Sequence, residues 1–303
     1  MGSELVRQLV DAGIHFGHRA SRWNPKMSPY IFGKRNTIHI IDIRETVKGL
    51  LRAKRFLTQV VAEGRSVLFV GTKRQARHLV RLHAKRVGMP YVAERWLGGT
   101  LTNFRTIRLR LGRLAELEAA EADGTSLEYS KKMIASRARE SRKITRNLEG
   151  IREMSTLPGA LVVIDVHRER NSLAEAKKLR IPTVCLIDSD SDPDFADLPI
   201  PGNDDAMRAI EVVLTHLADA VEEGLKARNQ PRPDEESAGG RRRGRRGPAG
   251  RTDDGSPESL GSPVGAVAAG EGADDAAMVG GPRFDSSAAN LRSSGARDSQ
   301  ADT

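Results

Sequence analysis

Leu161-Val162-Val163-Ile164-Asp165 is a short apolar run closed by a carboxylate, and the same figure returns at Val184-Cys185-Leu186-Ile187-Asp188 and Ile38-His39-Ile40-Ile41-Asp42. A fourth run, Val67-Leu68-Phe69-Val70, closes on Gly71. Unbroken apolar runs have no polar face, so they suit strands covered on both sides, as in a parallel sheet. Helical spacing fills the intervals at 45–63, 75–87, 173–179 and 205–223. In the last of these Ala206, Ile210, Val213, Leu214, Leu217 and Val221 make one stripe, with Asn203 or Asp204 as cap and Gly224 as stop. Strands alternating with helices predict an α/β fold: a doubly wound, mostly parallel sheet of the three-layer Rossmann or flavodoxin type, with right-handed crossovers.

One interval breaks the alternation. Between Trp96 and Leu161 no strand pattern occurs; Phe104, Ile107, Leu111, Leu114 and Leu117 recur at three-to-four spacing, and Ile144, Leu148, Ile151 and Met154 follow after Asp123-Gly124-Thr125. This predicts an inserted α-helical coiled-coil hairpin over 101–154. Towards its tip Arg137 and Ser141 occupy the seam register, and residues 129–154 carry eight basic and three acidic side chains. So charged a hairpin reads as an exposed arm that leans on a partner. The parsing is then an N-terminal arm over 1–36, a sheet domain over 37–100 and 155–227, the hairpin, and a tail over 228–303.

Charge sharpens the division. The 303 residues hold 49 Lys plus Arg and 40 Asp plus Glu; the last 76 hold 11 and 12 of them, leaving 38 against 28 in the first 227. The tail also holds 13 of the 29 glycines and one of the 12 aromatics, Phe284, too little apolar surface to offset chain entropy, so it is expected to be disordered. The apolar runs are strand-length, too short to cross a bilayer. The first ten residues include Glu4 and Arg7 and lack the apolar core of a secretory signal. With Cys185 alone there is no intrachain disulfide, and a cytoplasmic location is expected.

The most informative stretch for chemistry is 15–35. It holds Arg19, Arg22, Lys26, Lys34 and Arg35, no carboxylate, and four aromatics, Phe16, Trp23, Tyr30 and Phe32. Cations neutralise phosphates by releasing counterions, and aromatic planes such as Trp23 stack on unpaired bases, so this arm is expected to contact RNA. A second candidate is Gly71-Thr72-Lys73-Arg74-Gln75, which leaves a strand and opens a helix; its free N–H groups, with Lys73 and Arg74, suit a phosphate. It lacks the P-loop spacing, and no GxGxxG occurs. A third, Arg95-Trp96-Leu97-Gly98-Gly99-Thr100-Leu101-Thr102-Asn103-Phe104-Arg105, enters the hairpin with Thr102 or Asn103 as cap and Arg95, Arg105 and Arg108 near any phosphate.

A rival chemistry uses Asp42, Asp165 and Asp188 at the predicted strand ends to hold magnesium for phosphoryl transfer; the same positions also cap turns. Asp188-Ser189-Asp190-Ser191-Asp192 imitates an EF-hand start, but Pro193 and Pro199 stand where Gly and Glu belong. His15 and His18 with His39 or His167 form no dense ligand set, so stacking or packing is the expected role, with no cofactor.

These residues carry a resemblance. Leu9-Val10-Asp11-Ala12-Gly13-Ile14-His15-Phe16-Gly17-His18, Trp23-Asn24-Pro25-Lys26-Met27, Val70-Gly71-Thr72-Lys73-Arg74-Gln75-Ala76, Arg95-Trp96-Leu97-Gly98-Gly99 and Pro199-Ile200-Pro201-Gly202-Asn203-Asp204-Asp205-Ala206 resemble, in order, the bacterial small-subunit ribosomal protein S2 family. The resemblance implies a non-enzymatic ribosomal constituent with a doubly wound sheet and a protruding hairpin. It implies binding to small-subunit rRNA between head and body, beside neighbouring small-subunit proteins, and help in docking ribosomal protein S1, with no membrane and no small-molecule substrate. Two features depart from the family pattern: residues 134–146 are unusually basic, and the tail carries Arg241-Arg242-Arg243-Gly244-Arg245-Arg246.

Overall fold

The computed structural model describes residues 2–123 and 130–229. The expected tail disorder, its arginine cluster and the hairpin tip at 124–129 lie outside the described residues. Helix α1 (Gly2–Asp11) opens the chain. A small antiparallel sheet follows, β1 (Phe16–Arg19), β2 (Ile31–Arg35) and β3 (Ile38–Ile41), in the order β1-β3-β2. The strand expected at 38–41 therefore exists but does not join the parallel sheet. The reason is local: Asn36 and Thr37 take φ of 45° and 68°, and Arg35 pairs with Ile38, the geometry of a tight primed hairpin turn. The turn folds β3 straight back on β2, and β1 takes its other edge. An Asn-Thr pair lacks the glycine that usually advertises such a turn.

Five parallel strands form the main sheet, β4 (Val67–Val70), β5 (Tyr91–Val92), β6 (Ala160–Ile164), β7 (Thr183–Ile187) and β8 (Leu198–Pro201), in the order β5-β4-β6-β7-β8. Before, between and after them run α2 (Ile43–Ala62), α3 (Arg74–Arg86), α4 (Phe104–Ala122), α5 (Lys131–Leu148), α6 (Arg170–Leu179) and α7 (Met207–Asn229). Alternate strand residues feed two cores. Val67, Phe69, Val162, Ile164, Val184 and Leu186 pack with α2, α3 and α7. Leu68, Val70, Leu161, Val163, Cys185 and Ile187 pack with the hairpin root, α6 and Met27. Both faces are covered, which is why the runs are unbroken: the three-layer α/β expectation holds. Burial pushes the Cys185 thiol up to about 12, so it stays protonated and inert.

β8 was not legible as a strand, because Pro199 and Pro201 cannot donate to a ladder; it lies at the sheet edge, where proline is tolerated. Helix α7 also runs past the expected stop. Gly224 lies inside it and against α2, where a Cβ would meet the Thr58 carbonyl at 2.7 Å and Val61 Cβ at 2.8 Å. Its function is close helix approach, not termination. Gly224→Val should therefore lower stability by about 2–3 kcal/mol through overpacking, read as a fall in the urea midpoint; an unchanged midpoint would show that α7 can move away.

The hairpin is thinly seamed. α4 buries Ile107, Leu111, Leu114 and Leu117, whereas α5 buries only Leu148. Arg137 and Ser141 line a groove with Leu117, Ala120 and Ile134 instead of closing it.

Candidate nucleic-acid interface

Residues 15–35 are fastened to the sheet at several points, with Tyr30 and Ile31 partly buried against its core, and are largely exposed between them. Met27 is fully buried, the Asn24 N–H donates to the Ser189 carbonyl at 2.8 Å, and the His18 N–H donates to Ser189 Oγ at 2.8 Å. These ties hold the arm over the carboxyl end of β7. A register shift between Ile31 and Gly33 interrupts the β2 ladder, and Phe32, between them, is 72% exposed. Phe16 is 48% exposed, and Trp23, at 36%, leans on His39 with ring centres 4.9 Å apart.

The cations divide by what they touch. Arg19, Arg22, Lys34 and Arg35 are exposed, with no ion-pair partner among the described residues. Lys26 is spoken for: its ammonium lies 2.9 Å from Asp192 and 2.5 Å from Asp194. Arg74, Arg95 and Arg105 are exposed; Arg108 is exposed too but donates to the Met154 carbonyl at 3.3 Å.

Lys73 corrects the reading of its turn. Its ammonium sits 2.6 Å from Asp204, 2.6 Å from Asp205 and 3.4 Å from Asp165, and its side chain is 12% exposed. The Thr72 N–H and hydroxyl both donate to Glu169, at 2.8 and 2.5 Å, and burial raises that carboxyl. The charge of Lys73 and the turn's first donor are satisfied from inside the fold, where an external phosphate was expected, whereas Arg74 faces solvent.

The strand-end aspartates are committed too. Asp42 caps α2 by accepting the Arg44 N–H at 2.8 Å. Asp165 has φ of 70° and accepts the Arg168 N–H at 2.9 Å. Asp188 accepts the Ser189 N–H and pairs with His18 Nδ1 at 3.1 Å. The hydrogen bond to Asp188 raises His18 to about 9, against the opposing effect of burial. Burial, with Asp188 and Asp165 nearby, lifts Asp204 to about 8 despite Lys73. His18, Asp188 and Asp204 bring one ligand atom each within 4.8 Å of the others, but the raised His18 keeps its proton and Lys73 is bonded to Asp204, so the cluster is neutralised from within and does not fit a divalent cation. Of the histidines grouped by sequence only His18 enters this set: His15 packs on Phe16 and His39 on Trp23. Asp204 was seen only as a possible helix cap; the cap donors in fact go to Asn203 Oδ1, from the Asp205 and Ala206 N–H groups.

The hairpin entrance has an organiser that sequence reasoning did not single out. Glu175 on α6 accepts from Trp96 Nε1, from the Gly99, Leu101 and Thr102 N–H groups and from the Thr102 hydroxyl, at 2.8–3.1 Å. Burial alone would raise its carboxyl; these donors outweigh burial and hold it low. Thr102 thus serves Glu175, and Asn103 makes no side-chain cap to α4.

Among the described residues no helix is long and apolar enough to cross a membrane. A family model described as ribosomal protein S2 matches residues 9–224. The small ribosomal subunit protein uS2 of Rhodopirellula baltica is 61% identical over 221 residues, 73% of this chain and 85% of the relative. The protein of the same name from Syntrophobacter fumaroxidans is 51% identical over 221 residues, covering 73% and 81%. That of Sorangium cellulosum is 48% identical over 241 residues, covering 80% and 87%.

Proposed function

This chain belongs to the ribosomal protein S2 family, and on that premise we propose that residues 15–35, with the arginines at the hairpin entrance, hold it to small-subunit rRNA at the junction of head and body. Family membership makes it a structural constituent of the small ribosomal subunit and not an enzyme. The aspartates of the rival phosphotransferase reading agree, since each already has a structural partner.

The observation that carries the RNA reading is the unpaired charge of the arm. Arg19, Arg22, Lys34 and Arg35 share the arm with exposed Phe16, Trp23 and Phe32, and no carboxylate occurs in the stretch. Arg74, Arg95, Arg105 and Arg108 are further exposed cations; Lys26 is a weaker candidate because Asp192 and Asp194 compete for it. Docking of ribosomal protein S1 and of neighbouring small-subunit proteins, in the cytoplasm, belongs to the same proposal. Phe16 and Phe32 offer apolar surface that a protein partner would cover.

The test is the full chain with Arg19, Arg22, Lys34 and Arg35 all changed to Ala. Four lost phosphate contacts should flatten the slope of log affinity for rRNA against log salt by about 3 and lower incorporation into small subunits. Stability should hardly move, because the four side chains are exposed. An unchanged slope and normal incorporation would refute the arm as the anchor, as would crosslinks from intact subunits that bypass 15–35.

A further inference from the structure

We infer that the cleft between α5 and the carboxyl ends of β4 and β6 is a second RNA groove, one that tracks a single strand by its phosphates. The inference rests on the rRNA reading above and gives it a location that the arm does not supply.

The cleft lies where the sheet changes direction. From β4 the chain steps to β5 on one side, and from β6 it steps to β7 and β8 on the other. Loops diverge at such a point and leave a crevice, which is where doubly wound sheets take ligands. Here the crevice measures about 920 Å³, and α5 of the inserted hairpin forms its outer wall. From α5 come Arg139, Arg142, Lys143 and Arg146; from the sheet side come Arg95, Arg168 and Arg77.

Against seven cations the lining has one carboxylate, Glu94. That carboxylate already receives Arg77 at 3.2 Å, Arg81 at 3.4 Å and Arg146 at 3.4 Å. The remaining positive charge is unbalanced. Arg139 and Arg142 each donate Nε to the carbonyl one turn back, Ala135 and Ala138, which orients the guanidinium and leaves its terminal nitrogens to solvent. Such forks match phosphate oxygens.

Spacing selects a polymer. Positions 139, 142 and 146 share a helix face and rise by about 4.5 and 6 Å in succession. Charges recurring along a line complement phosphates recurring along a strand better than they complement a single phosphate cluster. The lining contains no aromatic side chain to stack a base and no unpaired carboxylate to hold magnesium, so neither a free nucleotide nor a base sequence is read.

The experiment compares the full wild-type chain with Arg139→Ala/Arg142→Ala/Arg146→Ala in rRNA binding across salt. Removing two free forks and Arg146, which Glu94 shares, should flatten the log–log slope by about 2 and weaken binding at least about tenfold near physiological salt. Lysine at the same three positions should keep most of the slope. Arg168→Ala, on the opposite wall and outside both the arm and the hairpin entrance, should flatten it by about 1, which guards against a defect confined to α5. Wild-type slopes in both alanine variants would overturn the groove while leaving the arm intact. Failure of the wild-type chain to bind rRNA would overturn both. Displacement of the RNA by equimolar nucleoside triphosphate, or an acidic peptide binding with the same dependence on these arginines, would overturn the assignment to RNA.

Discussion

Replacing Glu175 by Ala should cost on the order of 4 kcal/mol and loosen the hairpin from the sheet. The carboxylate accepts from five donors spread over Trp96, Gly99, Leu101 and Thr102. Trp96 and Leu101 are only 8% and 2% exposed, so water cannot replace the lost acceptor for them. Each stranded buried donor costs roughly 1–3 kcal/mol. Glu175→Gln keeps one acceptor oxygen but turns an NH2 towards donors, so a loss of about 2 kcal/mol is expected, between wild type and Ala. The pH dependence follows from the sign of the shift. The folded carboxyl titrates below its ordinary value, so its contribution is present above that value and is lost as the pH falls through the lower, folded one. Wild type should therefore lose stability on acidification more steeply than Glu175→Ala. Urea midpoints of the two proteins at neutral and acid pH check this, and equal midpoints at neutral pH would remove Glu175 as the organiser of the entrance.

Lys73→Met should be the next most damaging change, and it separates two roles for one residue. Its ammonium is 12% exposed and balances Asp204, which is almost fully buried, together with Asp205 and Asp165. Removing one partner of a buried ion pair costs about 3–5 kcal/mol, because the other charge is left uncompensated. Asp204 is already raised, and without Lys73 it rises further. Below about 8 Asp204 keeps its proton in both folded proteins, so the deficit traceable to it should open as the pH rises through 8 and be largest above it. The salt slope for rRNA should stay at the wild-type value. A stable variant whose slope is flatter by about 1 would mean instead that Lys73 meets a phosphate.

The strands at 67–70, 161–164 and 184–187 were legible because both of their faces meet apolar helices, and a run without polar interruption has few other homes. The arm's charge was readable from composition, but which of its five cations stay free was not: Lys26 is neutralised by Asp192 and Asp194, far along the chain. The strand at 38–41 was assigned to the wrong sheet, since its apolar residues are the same whichever neighbours they pair with and the deciding turn is Asn36-Thr37. Gly224 was misread because its effect lies in Thr58 and Val61, distant in sequence.

Residue type and order settled the alternation of strands and helices, the inserted hairpin, the net charge and the family pattern, all of which depend on neighbours within a few positions. Tertiary structure alone decided which charges are available to a partner. Lys73 and Arg74 stand side by side in the chain, yet one is buried against three carboxylates and the other faces solvent. A side chain's charge is local, but whether it is already neutralised depends on groups such as Asp204, 131 positions away, that only folding brings within 4 Å.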